Sequence, residues 1–124
     1  MLCVASHGPD NPNLAVLPFA ALKGSLGAAA DGTFPEERPE MFLMQEAVYL
    51  ATRTIPLEEL KAVGLPPISE FLEALTAKGF RMIVCRPCAE GRGISEADLA
   101  AYAEMGEGKD LATLTTQHSQ VLTF

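Results

Sequence analysis

Residues 80–95 read FRMIVCRPCAEGRGIS, and this stretch decides the fold. Its first half is apolar without alternation, so a strand there is buried on both faces, as in a parallel sheet covered by helices. Its second half is dense in proline, glycine and arginine, the composition of a chain leaving a strand. Cys85 ends the strand and Cys88 follows three positions later. Ligands of α/β sheets gather beyond the carboxyl ends of the strands, so Cys85 is expected at the functional rim.

The flanking segments supply the rest of the sheet. Ile68, Phe71, Leu72 and Leu75 stand at i, i+3, i+4 and i+7 and predict a helix closed by Lys78 and Gly79. EMFLM (residues 40–44) predicts a strand feeding a short helix in QEAVYLATR, with a helical turn at PLEELKAVG in the connection 55–67. Residues 1–6 read as a strand running into the loop HGPDNPN. Asn13 then caps a helix over residues 14–30, where Pro18 fits only in the first turn or at a kink. Residues 24–39 read as the end of that helix and a loop. Downstream, residues 95–98 have the form of a capping box opening a helix toward Met105. A further helix covers residues 110–117, and residues 120–124 form a terminal strand. Strands separated by helical segments predict one α/β domain over residues 1–124, with helices on both faces of the sheet.

The chain has 124 residues and a formal charge of −7, and its nine Lys and Arg residues are scattered. Nucleic acid and anionic membranes are poor partners for such a surface. The N-terminus lacks a basic region, since the first lysine is Lys23. The longest apolar run, residues 14–22, is interrupted by Pro18 and falls short of the ~20 residues of a membrane span. These features predict a cytoplasmic protein. Apolar residues make up 48% of the chain, a surplus that points to a subunit interface. Three cysteines, an odd number, argue against a disulfide framework and for metal, redox or catalytic use.

The spacing of Cys85 and Cys88 suits a turn that brings their Cα atoms within the roughly 4.4–6.8 Å of a disulfide. Thiolate is the reactive form, and peptide N–H groups with a cation, Arg86 or Arg92, are expected to lower the ordinary thiol pKa of ~8.5. Such a thiol attacks disulfides, accepts sulfane sulfur or is oxidised. Gly91 and Gly93 leave room for a partner's backbone. His7, ending the first strand at the same rim, is a candidate to line the site. Structural zinc generally takes four ligands, and no second C-x-x-C or His pair is present. Cys3, His7 and His118 could add ligands only through folding or oligomer contacts. Cys3 otherwise reads as core filling, His118 as structural at a helix end, and Glu36, Glu37, Glu58 and Glu59 as a solvated surface. A thioredoxin active site shares the C-x-x-C spelling. There the motif comes early and opens a long helix, whereas here it comes late and EGRG interrupts it.

VCRPCAEGRGIS (residues 84–95), LATLTTQHSQVLTF (residues 111–124) and MFLMQEAV (residues 41–48) together resemble the YchN-like branch of the DsrE/DsrF superfamily. The resemblance implies a three-layer α/β/α sandwich around a mainly parallel sheet and a homo-oligomer, a trimer or hexamer. Members with assigned functions serve sulfur-relay systems, among them the DsrEFH and TusBCD complexes, where a cysteine carries sulfur as a persulfide. The motif of a strand-end cysteine followed by an Arg-Gly pair places that role on Cys85, with Arg92-Gly93 as the pair. A resolving role for Cys88 is inferred from spacing.

The resulting expectation is a small sulfur carrier with Cys85, Cys88 and Arg92 as catalytic residues and His7, Arg86, Gly91 and Gly93 lining the substrate. It exchanges sulfur with donor and acceptor proteins and uses neither cofactor nor metal. The alternatives are a non-enzymatic oligomeric module that binds a ligand or partner at the rim, and a thiol–disulfide redox protein using Cys85 and Cys88.

Overall fold

Arg81–Cys85 forms β3, with Met82, Ile83 and Val84 all buried, in the computed structural model, which describes residues 1–124. It pairs in parallel with β2 (Glu40–Leu43) on one side and β4 (Ala103–Gly106) on the other. Beyond β2 lie β1 (Leu2–Ala5) and β5 (Val121–Thr123), giving one all-parallel sheet in the order β4-β3-β2-β1-β5.

Alternate strand residues point to opposite faces, and the two sides are covered unequally. Cys3, Ala5, Met41, Leu43, Met82 and Val84 face the larger core, packed against α2 (Leu17–Ala30) and α3 (Ile68–Thr76). Phe19, Leu22, Phe71, Leu72 and Leu75 supply the helical side. Leu2, Phe42 and Ile83 face the other way and meet Leu114 of α5 (Gly108–Gln117). The architecture is therefore a three-layer α/β/α sandwich. β4 and β5 sit on opposite edges, four strand spacings or about 19 Å apart. α5, about 15 Å long, carries the chain between them over the thinly covered face.

Several local expectations change. The first helix is broken in two: α1 (Pro12–Ala15) is capped by Asn11, with Pro12 in its first turn, and α2 starts at Leu17. Pro18 lies in the first turn of α2, where its missing N–H costs no helical bond. Asn13 instead accepts a hydrogen bond from the Val63 N–H. Residues 12–30 together have the length and hydropathy of a membrane span. Here they are interrupted at Val16 and bury Phe19 and Leu22 on the sheet. The short helix after β2 is a 3₁₀ helix, Gln45–Ala51.

The helix expected to run toward Met105 is a strand. Ser95 and Asp98 do form the capping box, but it holds only the turn Glu96–Asp98. Leu99 then pairs with Thr52, Ala100 N–H donates to the Ala51 carbonyl, and the chain is drawn out along β3 as the edge strand β4.

The amino end of the sheet is closed by charge. Glu40, buried at 6% exposure, is bonded by Arg81 and by the His118 ring, which is itself 3% exposed. Glu37, expected as solvated surface, is tied to the Met1 ammonium at 2.7 Å, the Ser119 N–H at 3.0 Å and His118 at 3.3 Å. Desolvation raises the Glu37 carboxyl, but the hydrogen bonds outweigh it and its pKa lies at about 2 instead of 4.5. A depressed carboxylate stabilises the fold above its unfolded pKa and loses that contribution as pH falls through the folded value. Wild type is therefore expected to lose more stability than Glu37→Gln between pH 4.5 and about 2. Urea unfolding at stepped pH checks this.

Candidate functional site

The carboxyl end of the sheet carries the cysteine pair. The chain leaves β3 into α4 (Arg86–Glu90), whose Cys88 and Ala89 pack on the larger core, whereas it leaves β4 into α5 on the opposite face. Neighbouring connections that depart to opposite faces open a crevice between their strands. That switch point falls at the register pair Cys85–Gly106. Gly106 is needed there because a Cβ would overlap the Ile83 side chain.

Cys85 is half-buried at the N-cap of α4 and points to the thin face, near Met44 and Leu111. Pro87 occupies the first turn of α4, and Cys88, half-buried at the third helical position, leans on the larger core. Both cysteines are free thiols. Burial comes first in raising the Cys85 pKa above its ordinary value, and the Cys88 thiol adds to it. The Cys88 peptide N–H and the Arg92 charge pull the other way and do not prevail. The sequence-based expectation of a lowered pKa is thus reversed in the single chain, because the sulfur is sunk between apolar side chains. Cys3 lies inside β1, and burial pushes its thiol up to about 12, which suits core filling.

Arg92 does not point at the sulfur. Its Nη2 donates to Glu46 Oε1 at 2.6 Å and to Gln45 Oε1 at 3.0 Å, and its Nε to Glu46 at 3.1 Å. Its Nη1 donates to the Cys88 carbonyl at 3.1 Å. The guanidinium is therefore a strap from the end of α4 to the segment after β2. Arg86 turns outward to Glu96 at 3.0 Å, Glu107 at 3.7 Å and Glu90 at 3.9 Å. It borders a cleft of about 360 Å³ with Glu90, Gly93, Ile94, Glu96 and Met105, which neither cysteine lines.

The remaining sequence candidates are spread more widely. Gly91 caps α4 in helical conformation, and Gly93 takes φ 73°, with open space where a side chain would stand. His7 follows β1 at the same edge, half-buried, two strand spacings or about 10 Å from β3. His118 lies at the amino end, about 13 Å along the strands from Cys85. No group of three His, Cys, Asp or Glu side chains is arranged to hold a metal ion.

Sequence reasoning missed Gln45, Glu46 and Gly8. Gln45 holds φ 50°, the left-handed region that non-glycine residues avoid, and this turns its amide toward Arg92. Gly8 lets the loop after β1 close on the Glu46 carbonyl, where a Cβ would collide. The only signal was an acid three residues after a strand that ends at the same rim.

The DsrE/DsrF-like family model matches residues 2–124. The chain belongs to the DsrE/DsrF-like family. Protein YchN of Escherichia coli K12 is 37% identical over 84 residues, 68% of each chain. An uncharacterised protein of Methanopyrus kandleri is 27% identical over 106 residues, 86% of this chain and 80% of its own. Among solved structures, YchN from E. coli aligns over 99% of this chain and 97% of its own, with a TM-score of 0.69 and 28% identity. These relatives support the YchN-like branch within this DsrE/DsrF-like family.

Proposed function

We propose that this protein carries sulfane sulfur as a persulfide on Cys85 and passes it to an acceptor protein. The observation that carries the reading is the place of Cys85: the last residue of β3, at the switch point of the sheet, with the Cys88 thiol and N–H acting on its sulfur. Family membership supports it, because the superfamily includes sulfur-relay proteins. In loading, the Cys85 thiolate attacks the outer sulfur of a donor persulfide. The donor's S–S bond breaks, its inner sulfur leaves as a thiolate, and Cys85 gains the S–SH group. Free cysteines suit a reducing, cytoplasmic setting.

The protein acts as a homo-oligomer in this reading. α5 alone covers one sheet face, and Val121 and Leu122 of the edge strand β5 are 36% and 39% exposed. The influence of the Cys88 thiol on Cys85, three residues away, favours a second reading, reversible Cys85–Cys88 disulfide exchange, which needs no sulfane sulfur.

Cyanide, which removes sulfane sulfur as thiocyanate, distinguishes them. Cys88→Ser chain treated with a persulfide donor and freed of excess should release one thiocyanate per chain. None should be released once Cys85 has been alkylated, and release that survives alkylation contradicts the proposal. Because the Cys85 pKa is raised, its thiolate fraction is still growing past pH 9, and the loading rate should still climb there. A rate that levels off near neutrality contradicts the single-chain environment described above.

A further inference from the structure

We propose that Glu46 is a positioning residue for the cysteine pair: through Arg92 it fixes the end of α4 and holds the guanidinium turned away from the Cys85 thiol. The inference rests on Cys85 being the reacting thiol of the preceding reading.

Three independent features converge on Glu46. Its carboxylate takes two of the Arg92 N–H groups, while the same guanidinium holds the Cys88 carbonyl. This links residues 46 positions apart in sequence and leaves Arg92 only 21% exposed. The preceding residue, Gln45, takes the left-handed conformation while its amide accepts a further Arg92 N–H. Strain of that kind persists where the surroundings over-determine the backbone, commonly at functional sites. On the other side, Gly8 closes against the Glu46 carbonyl and fixes where the acid starts. The carboxylate is thus placed by two loops of the rim and spends both contacts on one arginine. A planar, permanently charged guanidinium suits this clamp, since it bonds the acid, the amide and the carbonyl in separate directions.

The consequence is electrostatic as well as geometric. Arg92 favours the thiolate of Cys85, and Glu46 limits that influence by holding the guanidinium on itself. The charged or titratable side chains around the thiol are Arg86, Cys88 and Glu90 of α4, Arg92 beyond it, Glu46 and Tyr49 of the 3₁₀ helix, and Glu107 and Asp110 where α5 begins. Only Cys88 and Arg92 act on Cys85 directly. Glu46 therefore works through its partner.

The test is the rate of Cys85 alkylation by iodoacetamide against pH, read by peptide mass, in the full chain. Glu46→Gln replaces the charged clamp on Arg92 by a weaker neutral one and frees the guanidinium to turn toward the thiol. Its midpoint should fall by about half to one pH unit, with alkylation at pH 7 about three- to tenfold faster. Glu46→Asp should return the wild-type profile, and Glu46→Gln should have no effect in an Arg92→Gln background. A Glu46→Gln midpoint equal to wild type overturns the proposal. So does an equal shift in the Arg92→Gln background, which would mean that Glu46 acts on the thiol directly. The first two variants decide the question even if Arg92→Gln does not fold. Alkylation requires no sulfane sulfur, so a chain that never forms a persulfide can still confirm or overturn the role of Glu46.

Discussion

A Cys88→Ser chain loaded with sulfane sulfur is expected to hold it at least about ten times longer than wild type, with no change in the amount first taken up. In the proposed wild-type reaction, the Cys88 thiolate attacks the Cys85 sulfur of the persulfide. A Cys85–Cys88 disulfide forms, the bond to the outer sulfur breaks, and hydrosulfide leaves with that electron pair. The attack is intramolecular, between residues three apart on the turn that opens α4. Effective concentrations for groups held in this way exceed those of thiols in solution by orders of magnitude, so removing Cys88 leaves only slow external routes. Hydrosulfide released after removal of excess donor, followed over time without added thiol, measures the difference. Equal retention by the two chains would assign Cys88 to packing, in keeping with its contacts to the larger core.

The largest stability effect outside the core is expected at Gly8. Alanine there places a Cβ onto the Glu46 carbonyl, a backbone group that cannot rotate aside. Overpacking of this kind costs about 3 kcal/mol, and relief requires the loop after β1 to part from the 3₁₀ helix. That movement carries Glu46 off Arg92, so Gly8→Ala should also shift Cys85 alkylation in the direction of Glu46→Gln. Gly24 is the natural control. It lies in α2 with open space around its Cα, and Gly24→Ala should gain about 0.5–1 kcal/mol through helix propensity. Denaturant unfolding of both variants tests the pair. A Gly8→Ala chain as stable as wild type would mean that the two rim loops do not meet as described.

The parts of the fold that announce themselves in sequence are those whose periodicity is imposed by burial. β3 is apolar on both faces because helices cover both, and α3 shows its stripe because only one face meets the sheet. β4 gave no such signal: it is an edge strand of four residues, with Glu104 outward and exposed, and the capping box before it belongs to a single turn. In NPN at residues 11–13, either asparagine could cap a helix, and Pro12 decides for Asn11 by fitting the first turn. The position of Cys85 at the rim was readable, since a strand end needs only local pattern. Its raised pKa was not, because it depends on burial in the folded chain and on the Cys88 thiol. Arg92 was singled out for its charge, yet its partner Glu46 lies on a different loop, and no local spacing joins them.

The central claim is that Cys85 is the sulfur-bearing residue. Its most direct test is intact-mass spectrometry of fully reduced chain after exposure to a persulfide donor, run on wild type, Cys85→Ser and Cys88→Ser. The account predicts a reductant-labile gain of one sulfur atom on Cys88→Ser and transiently on wild type, and none on Cys85→Ser. A Cys85→Ser chain that gains the sulfur atom as fully as Cys88→Ser would contradict it.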